Sequence, residues 1–455
     1  MSGKAKSVKM VLFGIAVIVV LTACSDESAE SGRTDQNENG NDSSESETVL
    51  EDTISEPVTL TFMSTWNDKL FEDRIKGFVE EKFPNVTMEL IPTRADSEGL
   101  QEIFAADIMP DFIHVTTGFG PLHELDMLFP LDDLIEQYGV DLSIVREDSL
   151  QATRAMDPEL ENRLLALPIE EVAYGLFYNK TIFDEFGIDY PRDGMTWDEA
   201  IELARDLTRE VDGIKYRGLI FQRAEIPLLQ LSPQGVDPET GEVTFTSESA
   251  FTDYLDLMKD IANIPGNYDP GMDHRLGDPE VAMSVTELTT QRDMYGDEQY
   301  DFDMVRVPTW PDHPDTGPYT KVFPVSISPY SENQEEAFIV LNYLVSEEMQ
   351  TNMARAAQTP VSDNPDVHQE YAAYRIEENG GDASYNFKAA YELTPAQPPL
   401  FTPSYPDVPQ PFNFIASKYS QFVESNDDTP TFLRKLEDEY EACCKTLEAE
   451  VWNKP

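Results

Sequence analysis

The chain has 455 residues and a formal net charge of −55, from 87 acidic and 32 basic residues. This charge argues against nucleic acid as a partner, because proteins bind the phosphate backbone through Lys and Arg and an acidic surface repels it. The length exceeds the roughly 250 to 300 residues that one hydrophobic core supports, so two domains are expected. Two interpretations of the acidity stay open: a solvated surface suited to saline or alkaline surroundings, or an acidic cleft for a cationic ligand.

The first 23 residues have the pattern of a secretory signal. Lysines precede an apolar run from Met10 to Leu21, which is too short to span a bilayer as a mature helix. The run ends at Leu21-Thr22-Ala23-Cys24, which resembles a lipobox and implies cleavage before Cys24 and a diacylglyceryl thioether on its sulfur. The alternative is an ordinary signal with a chance cysteine. Two acyl chains anchor a protein stably where one does not, so the expected location is the extracellular face of the cell membrane.

Strands and helices alternate after an acidic tether that is predicted to be disordered. Val58, Leu60 and Phe62 alternate with threonines, which predicts a first strand. The segments predicted next are a helix capped by Asn67 or Asp68, a strand over Val86–Ile91, a helix over Leu100–Ala106 and a strand over Asp111–Val115. This order predicts an α/β fold in which mostly parallel sheets are flanked by helices.

The stretch from Leu164 to Thr208 carries the clearest local signals. Two short apolar and aromatic segments on either side of Glu170-Glu171 predict extended structure. Thr196 followed by Glu199 is a capping box, in which each side chain satisfies a backbone donor at the start of a helix. Trp197 lies on the apolar face of that helix, so we predict that it packs in a core.

The sequence predicts fewer helices and strands in the second half of the chain. Adjacent cysteines on a helix cannot readily meet disulfide geometry, so Cys443 and Cys444 are predicted to be free thiols, with Cys443 on the core face. The other predicted elements are strands over Val281–Val285 and Phe302–Val307, a helix from Ser331 capped reciprocally with Gln334, and a last helix that begins at Thr429.

Several segments together resemble one protein family. They are Pro168 with GLFYNK at 175–180, FG at 186–187 with TWDE at 196–199, ADIMPD at 106–111, SENQEEA at 331–337 and TPV at 359–361. The set resembles family 1 of the extracellular solute-binding proteins, which supply ATP-binding cassette importers and are often associated with sugars. Thr359 departs from the pattern, which usually has Gly there. The resemblance spans Val58 to about Val361.

The resemblance implies two α/β lobes of the type II periplasmic-binding-protein-like fold, which close over a ligand. It also implies a monomer that delivers a solute, most often a mono- or oligosaccharide, to the permease subunits of the importer. The expected divisions are a signal peptide at 1–23, lipidated Cys24 with its tether at 24–56, lobe one at 57–168, lobe two at 169–278, a return to lobe one at 279–320, and the remainder of lobe two with C-terminal helices at 321–455.

Ligands of open α/β sheets bind outside the carboxyl ends of the strands. This rule and the expected crossings between lobes nominate ligand-binding residues, among which Trp66 and Trp310 are the aromatic candidates for stacking on a sugar ring. The nominated set is Trp66, Asn67, Thr116, Thr117, Glu170, Glu171, Tyr174, Glu287 and Trp310. Each has a structural alternative: Trp66 could cover a sheet end, Trp310 could prop a hinge between prolines, and the two adjacent glutamates could be exposed surface. Arg223 could bind an anionic group or pair with a carboxylate.

Motifs of catalysis are missing from the sequence. The five histidines are scattered without zinc spacing, and neither a GxSxG elbow nor a phosphate-binding glycine loop occurs. We therefore predict a binding protein with no catalytic residue, cofactor or metal. Two alternatives stay open: a secreted glycoside hydrolase that uses paired carboxylates, and a surface sensor that presents its ligand to a membrane receptor.

Overall fold

Two mixed sheets organise the part of the chain that the computed structural model describes, which is residues 53–116, 118–400 and 410–452. The strands are β1 Val58–Met63, β2 Val86–Ile91, β3 Phe112–His114, β4 Leu167–Glu171, β5 Tyr174–Asn179, β6 Arg209–Val211, β7 Ile214–Tyr216, β8 Ile220–Phe221, β9 Met283–Glu287, β10 Phe302–Val305, β11 Thr316–Gly317, β12 Val322–Ile327 and β13 Thr394–Pro395.

Helices flank both sheets. They are α1 Asp68–Phe71, α2 Gly77–Lys82, α3 Ser97–Ala105, α4 Gly120–Glu124, α5 Asp132–Tyr138, α6 Glu147–Arg154, α7 Lys180–Phe186, α8 Trp197–Leu207, α9 Ile226–Leu231, α10 Ser249–Ala262, α11 Gln334–Leu344, α12 Glu347–Arg355, α13 Pro365–Gln369, α14 Ala373–Glu378, α15 Pro411–Ser417, α16 Tyr419–Glu424 and α17 Thr429–Trp452. A π-helical segment, Glu72–Lys76, joins α1 to α2, and 3-10 turns span Leu288–Gln291 and Phe387–Tyr391. Among these described helices, none is long and apolar enough to cross a membrane.

The first sheet has the strand order β2-β1-β3-β12-β4. β1 is parallel to both β2 and β3, whereas β12 runs antiparallel to its neighbours β3 and β4. The alternation that predicted β1 is confirmed, since Leu60 and Phe62 are fully buried and pack with α11 and α12 in one core. The α/β class is confirmed, and this sheet is mostly parallel as expected: four of its five strands run in one direction and β12 alone is reversed.

The second sheet has the order β10-β5-β9-β8 and is also mixed. β5 is antiparallel to β10 and to β9, and β9 is parallel to β8. β4 and β5 are separated only by Val172 and Ala173, so the chain passes from the first sheet to the second within two residues. The connection between the two sheets is therefore short at this point.

The strand order differs from several of the expected segment assignments. Met283–Glu287 and Phe302–Val305 were expected in lobe one but pair in the second sheet, and Val322–Ile327 was expected in lobe two but lies in the first sheet. α11 and α12 follow β12 into the core of the first sheet. β9 and β12 are almost completely buried, so an apolar run predicted each strand without indicating its partner. With these segments exchanged, and the first crossing moved to 172–173, the residue boundaries of the two lobes are retained as a proposal.

Local signals were reliable where the interaction lies within a few residues. The capping box of α8 is confirmed, and Trp197 is fully buried with its Nε1 donating to Gln230 Oε1 at 2.8 Å. The reciprocal cap at Ser331 is wrong, because the Ser331 hydroxyl instead donates to the Asp111 carboxylate at 2.6 Å. Asp111, which is distant in sequence, is thus the partner of Ser331 in place of the predicted local partner, Gln334.

Neither cysteine of α17 forms a disulfide within the described residues, as predicted. Their packing differs from the prediction, since Cys444 is the buried member and Cys443 is half-buried. Cys444 lies four residues after buried Tyr440 and eight after buried Leu436, so these three side chains share one helical face. The Cys444 sulfur fills part of the hydrophobic core that packs on the second sheet, which we name the second core.

Candidate ligand-binding cleft

Side chains from both sheets surround a cavity of about 380 Å³, which we name the arginine cavity. The first sheet contributes residues after β1 and β3 and from β4 and β12, and the second contributes residues after β8 and β9. The lining consists of Trp66, Arg74, His114, Thr116, Glu170, Arg223, Glu287, Thr289, Thr290, Arg292 and Phe323. A solute bound there touches both lobes, which is the geometry needed to couple binding to lobe movement.

Four of the nominated residues meet in the arginine cavity: Trp66, Thr116, Glu170 and Glu287. They come from four separate parts of the chain, and the strand-end rule found three of them. Glu287 reaches the cavity from the second sheet, not from lobe one as expected. Ligand contact by these residues stays a prediction.

Trp66 is half-buried and is held by aromatic neighbours. Its ring lies 5.8 Å from that of Phe62 at an interplanar angle of 18°, and 4.6 Å from the His114 ring. The Arg74 guanidinium carbon lies 5.2 Å from the centre of the Trp66 ring, within the range of a cation–π contact. The indole is therefore positioned before any ligand arrives, which lowers the entropic cost of stacking on one.

Arg74 also pairs with Glu170 at 3.2 Å. Both side chains are largely buried, and burial raises the pKa of Glu170 above its usual 4.5 while the Arg74 charge opposes that rise. Arg74 lies in the π-helical segment, an irregularity that is frequent at functional sites. Sequence analysis did not find Arg74, because a wide turn changes which residues of the helix face the cleft.

The second sheet contributes another ion pair. Arg223 Nε lies 2.8 Å from Glu287 Oε1, which confirms that Arg223 pairs with a neighbouring carboxylate. Arg292 follows the 3-10 turn after β9 and also lines the cavity. Its guanidinium has no hydrogen bond or ion pair within the described residues, although its charge acts on Glu170 from a distance. Arg292 was not nominated, since it lies beyond the strand end that the rule indicates.

His114 lies beneath the aromatic groups of the cavity and is 4% exposed. Burial, with a smaller contribution from Arg74, lowers the pKa of His114 to about 3, so the imidazole is neutral at physiological pH. Ser64 Oγ accepts from the Trp66 backbone N–H at 3.3 Å and lies 3.0 Å from His114 Nδ1. We assign the Ser64 hydroxyl as donor to Nδ1, which puts the imidazole proton on Nε2, an atom without a partner among the described residues.

A larger cavity of about 690 Å³ adjoins the arginine cavity and shares Thr116 and Phe323 with it. We name it the large cavity. Its walls come from the start of α3, from α6, from the segment that leads into β12, and from the C-terminal region that packs on the second core. They include Arg94, Asp96, Glu98, Met156, Tyr319, Lys321, Leu400 and Phe412. Together the two cavities have the volume of a site for an extended solute.

The remaining nominated residues lie elsewhere. Asn67 caps α1 by accepting from the Leu70 N–H at 2.9 Å, and Thr117 is outside the described residues. Trp310 lines neither cavity; its Nε1 donates to the Pro227 carbonyl at 2.9 Å while its ring packs on the second core. These contacts favour a packing role for Trp310, and its contact with ligand stays a prediction.

Glu171 and Tyr174 line a separate space of about 30 Å³ at the passage between the sheets, which is room for about one water molecule. Glu171 lies 3.4 Å from Arg146 Nε and accepts a hydrogen bond from Ser149. Burial raises the pKa of Glu171 to about 7, against the opposing charge of Arg146. The structure thus separates two adjacent glutamates: side chains alternate along β4, so Glu170 faces the cleft and Glu171 faces the small space at the passage between the sheets.

The fold and cleft define a two-lobed binding protein. Residues 60–351 match the bacterial extracellular solute-binding protein family, and the chain belongs to that family. The prediction of a binding protein is therefore confirmed by the family, whose members capture solutes and are not enzymes. Comparison with curated proteins gave no match.

Solved structures of similar fold support the architecture. An ABC substrate-binding protein from Listeria monocytogenes, in complex with cycloalternan, is 16% identical with a TM-score of 0.64, over 86% of this chain and 99% of that chain. A sugar transporter from Rhizobium etli in an open conformation is 14% identical with a TM-score of 0.67, over 85% and 99%. The sugar-binding protein MalE from Xanthomonas citri is 16% identical with a TM-score of 0.63, over 88% and 100%. The two-lobe expectation is confirmed.

Proposed function

We propose that the protein captures a saccharide between its lobes and delivers it to the membrane permease of an ATP-binding cassette importer. The observation that carries the proposal is the pair of adjoining cavities lined from both sheets, with Trp66 at the side of one of them. An indole face covers the C–H side of a sugar ring, while carboxylates, guanidiniums and hydroxyls exchange hydrogen bonds with its OH groups. Family membership and the sugar-binding proteins of similar fold support the same function.

Capture works by lobe closure in this proposal. The open form exposes both walls of the cleft, and contacts that the solute makes only in the closed form shift the population toward closure. A solute with micromolar affinity provides about 8 kcal/mol of binding free energy, part of which drives the movement. The permease then recognises the closed surfaces.

A thermal-shift screen of the purified protein against neutral and acidic saccharides tests this function, with product analysis of every hit. A ligand at 100 times its Kd adds about 2.7 kcal/mol to the free energy of unfolding, so a binder raises the melting temperature. We expect a saccharide to raise it and to be recovered intact. Recovery of a cleaved saccharide would instead establish a hydrolase, and the absence of any shift across the saccharides would exclude sugar capture.

We also propose that the protein is held at the extracellular face of the membrane by lipid on Cys24, which lies outside the described residues. The Cys24→Ala variant is expected to leave the membrane fraction and appear in the medium, because it lacks the sulfur to which the lipid is attached. Fractionation with immunodetection measures this, and Cys443→Ala is the control, since it removes a thiol of α17 and leaves the lipobox intact. Retention of the Cys24→Ala variant at the membrane would rule out the anchor.

A further inference from the structure

The charge of the arginine cavity is opposite in sign to that of the whole protein. Its lining contains three guanidiniums and two carboxylates, within a chain whose formal net charge is −55. Glu225 acts on Arg223 from outside this lining. A cation entering the cavity meets guanidiniums on both walls, Arg74 from the first lobe and Arg292 from the second. The lining therefore selects against cationic solutes and in favour of an anionic group.

Two of the three guanidiniums are already neutralised. Arg74 is paired with Glu170 and Arg223 with Glu287, so neither carboxylate is free to neutralise a further cation. The Arg292 guanidinium alone is left without an ion pair or hydrogen bond in the described lining of this cavity. An arginine guanidinium presents five N–H donors in a rigid planar arrangement that matches an oxyanion. The unpaired guanidinium of Arg292 is available to bind such a group in this cavity.

Three other side chains of the arginine cavity carry neutral hydrogen-bonding groups. Thr289 and Thr290 lie in the 3-10 turn before Arg292 and line the same cavity, and both carry a hydroxyl. The unpartnered Nε2–H of His114 belongs to the opposite wall. That imidazole is neutral, so it adds no positive charge to the wall.

We propose that the solute is an acidic saccharide, with the carboxylate of a uronic acid bound by Arg292 in the arginine cavity. This inference rests on the proposed function and names its substrate class. One unpaired guanidinium neutralises a singly charged oxyanion, whereas a doubly charged phosphate leaves excess negative charge beside Glu170 and Glu287. In the large cavity Arg94 and Lys321 are balanced by two carboxylates, so neutral sugar residues of the same chain fit there.

Calorimetric titration of the purified protein with matched saccharide pairs tests the proposal. The pairs are glucuronic acid with glucose, galacturonic acid with galactose, and di- and trigalacturonic acid with the corresponding galactose oligomers; a sulfated and a phosphorylated galactose complete the set. We expect the carboxylate member of at least one pair to bind about tenfold to hundredfold more tightly, as a charge-assisted hydrogen bond gives. This preference should shrink as salt is raised, because the cavity is open to solvent.

Arg292→Gln is expected to weaken binding of the acidic member about tenfold to hundredfold and so to abolish the preference, while the affinity for the neutral member falls much less because it loses only a hydrogen bond to an uncharged OH group. The side chain is exposed and unpaired, so the melting temperature of the variant without ligand should match that of the parent. Arg275→Gln is the matched control: an exposed arginine outside both cavities, expected to change neither affinity.

The outcomes separate this inference from the proposed function. Equal or tighter binding of the neutral members, or an acidic preference that survives in Arg292→Gln, would overturn the carboxylate site and leave sugar capture intact. A preference for the sulfate or phosphate ester over the uronic acid would overturn the assignment to uronic acids. If no saccharide of either kind binds, the proposed function itself fails.

Discussion

Replacing Trp197 by alanine is expected to lower the free energy of unfolding by about 3 to 5 kcal/mol, the usual cost of removing a large buried aromatic side chain. Trp197 is 0% exposed and packs in the core of the second lobe. Its loss also leaves Gln230 Oε1 without the donor it now has, and an unsatisfied buried acceptor adds to the cost of the cavity. Denaturant unfolding followed by circular dichroism measures the change.

Trp66→Ala is the matched control for this experiment. The same residue type is removed, but Trp66 is half-buried at the cleft and packs against the edge of the first core. We expect a smaller loss of stability than for Trp197→Ala and, if the proposed function holds, a loss of saccharide affinity. A loss below about 1 kcal/mol for Trp197→Ala would contradict the assignment of this side chain to a close-packed core.

Arg74→Ala is expected to destabilise the first lobe by about 3 to 5 kcal/mol at neutral pH, because it leaves the Glu170 carboxylate buried without its partner. Burial already holds the pKa of Glu170 above 4.5, and removing Arg74 raises it further. A raised carboxyl pKa means that the folded state binds the proton more tightly than the unfolded state does. The loss of stability in Arg74→Ala is therefore complete at pH values above the folded-state pKa of Glu170, and it shrinks as the pH falls toward 4.5.

The double variant Arg74→Ala with Glu170→Gln is expected to recover much of this loss, since it removes the unpaired charge. Lys69→Ala serves as the control for a surface pair, because Lys69 and Asp73 are exposed and such pairs contribute about 0 to 1 kcal/mol. Urea unfolding of the variants at several pH values gives the comparison. A deficit for Arg74→Ala that is independent of pH would mean that Glu170 is not the source of the cost.

The acidity of the chain is better explained by its outer surface than by its cleft. Of the two interpretations left open by composition, an acidic cleft for a cationic ligand is disfavoured by the guanidiniums of Arg74, Arg223 and Arg292 around the arginine cavity. A solvated acidic surface is compatible with this local reversal of charge, since exposed charges more than about 8 Å apart are screened from one another at physiological salt. Composition gives the net charge of the whole chain and does not show where positive and negative side chains gather in the fold.

Part of the candidate site could be predicted from the sequence, because the end of a strand is indicated by residues close to it in the chain. Trp66 and Thr116 could be nominated, since each comes just after a short apolar run and the carboxyl ends of strands are where ligands bind in α/β sheets. Arg223 was correctly expected to pair with a carboxylate. Arg74 and Arg292 were missed, because the first depends on a π-helical turn and the second follows a 3-10 turn after its strand.

The sequence by itself determined the α/β class, the capping of α8, the burial of Trp197 and the family, because each depends on residues close together in the chain. Only the tertiary structure decided which sheet β9 and β12 join, and therefore which side chains share the cleft. Strands buried on both faces have the same apolar pattern whatever their neighbours, so pairing is settled by long-range packing. The opposite directions of Glu170 and Glu171 follow from the same cause, since strand geometry alternates side chains and only the assembled sheets decide what each direction faces.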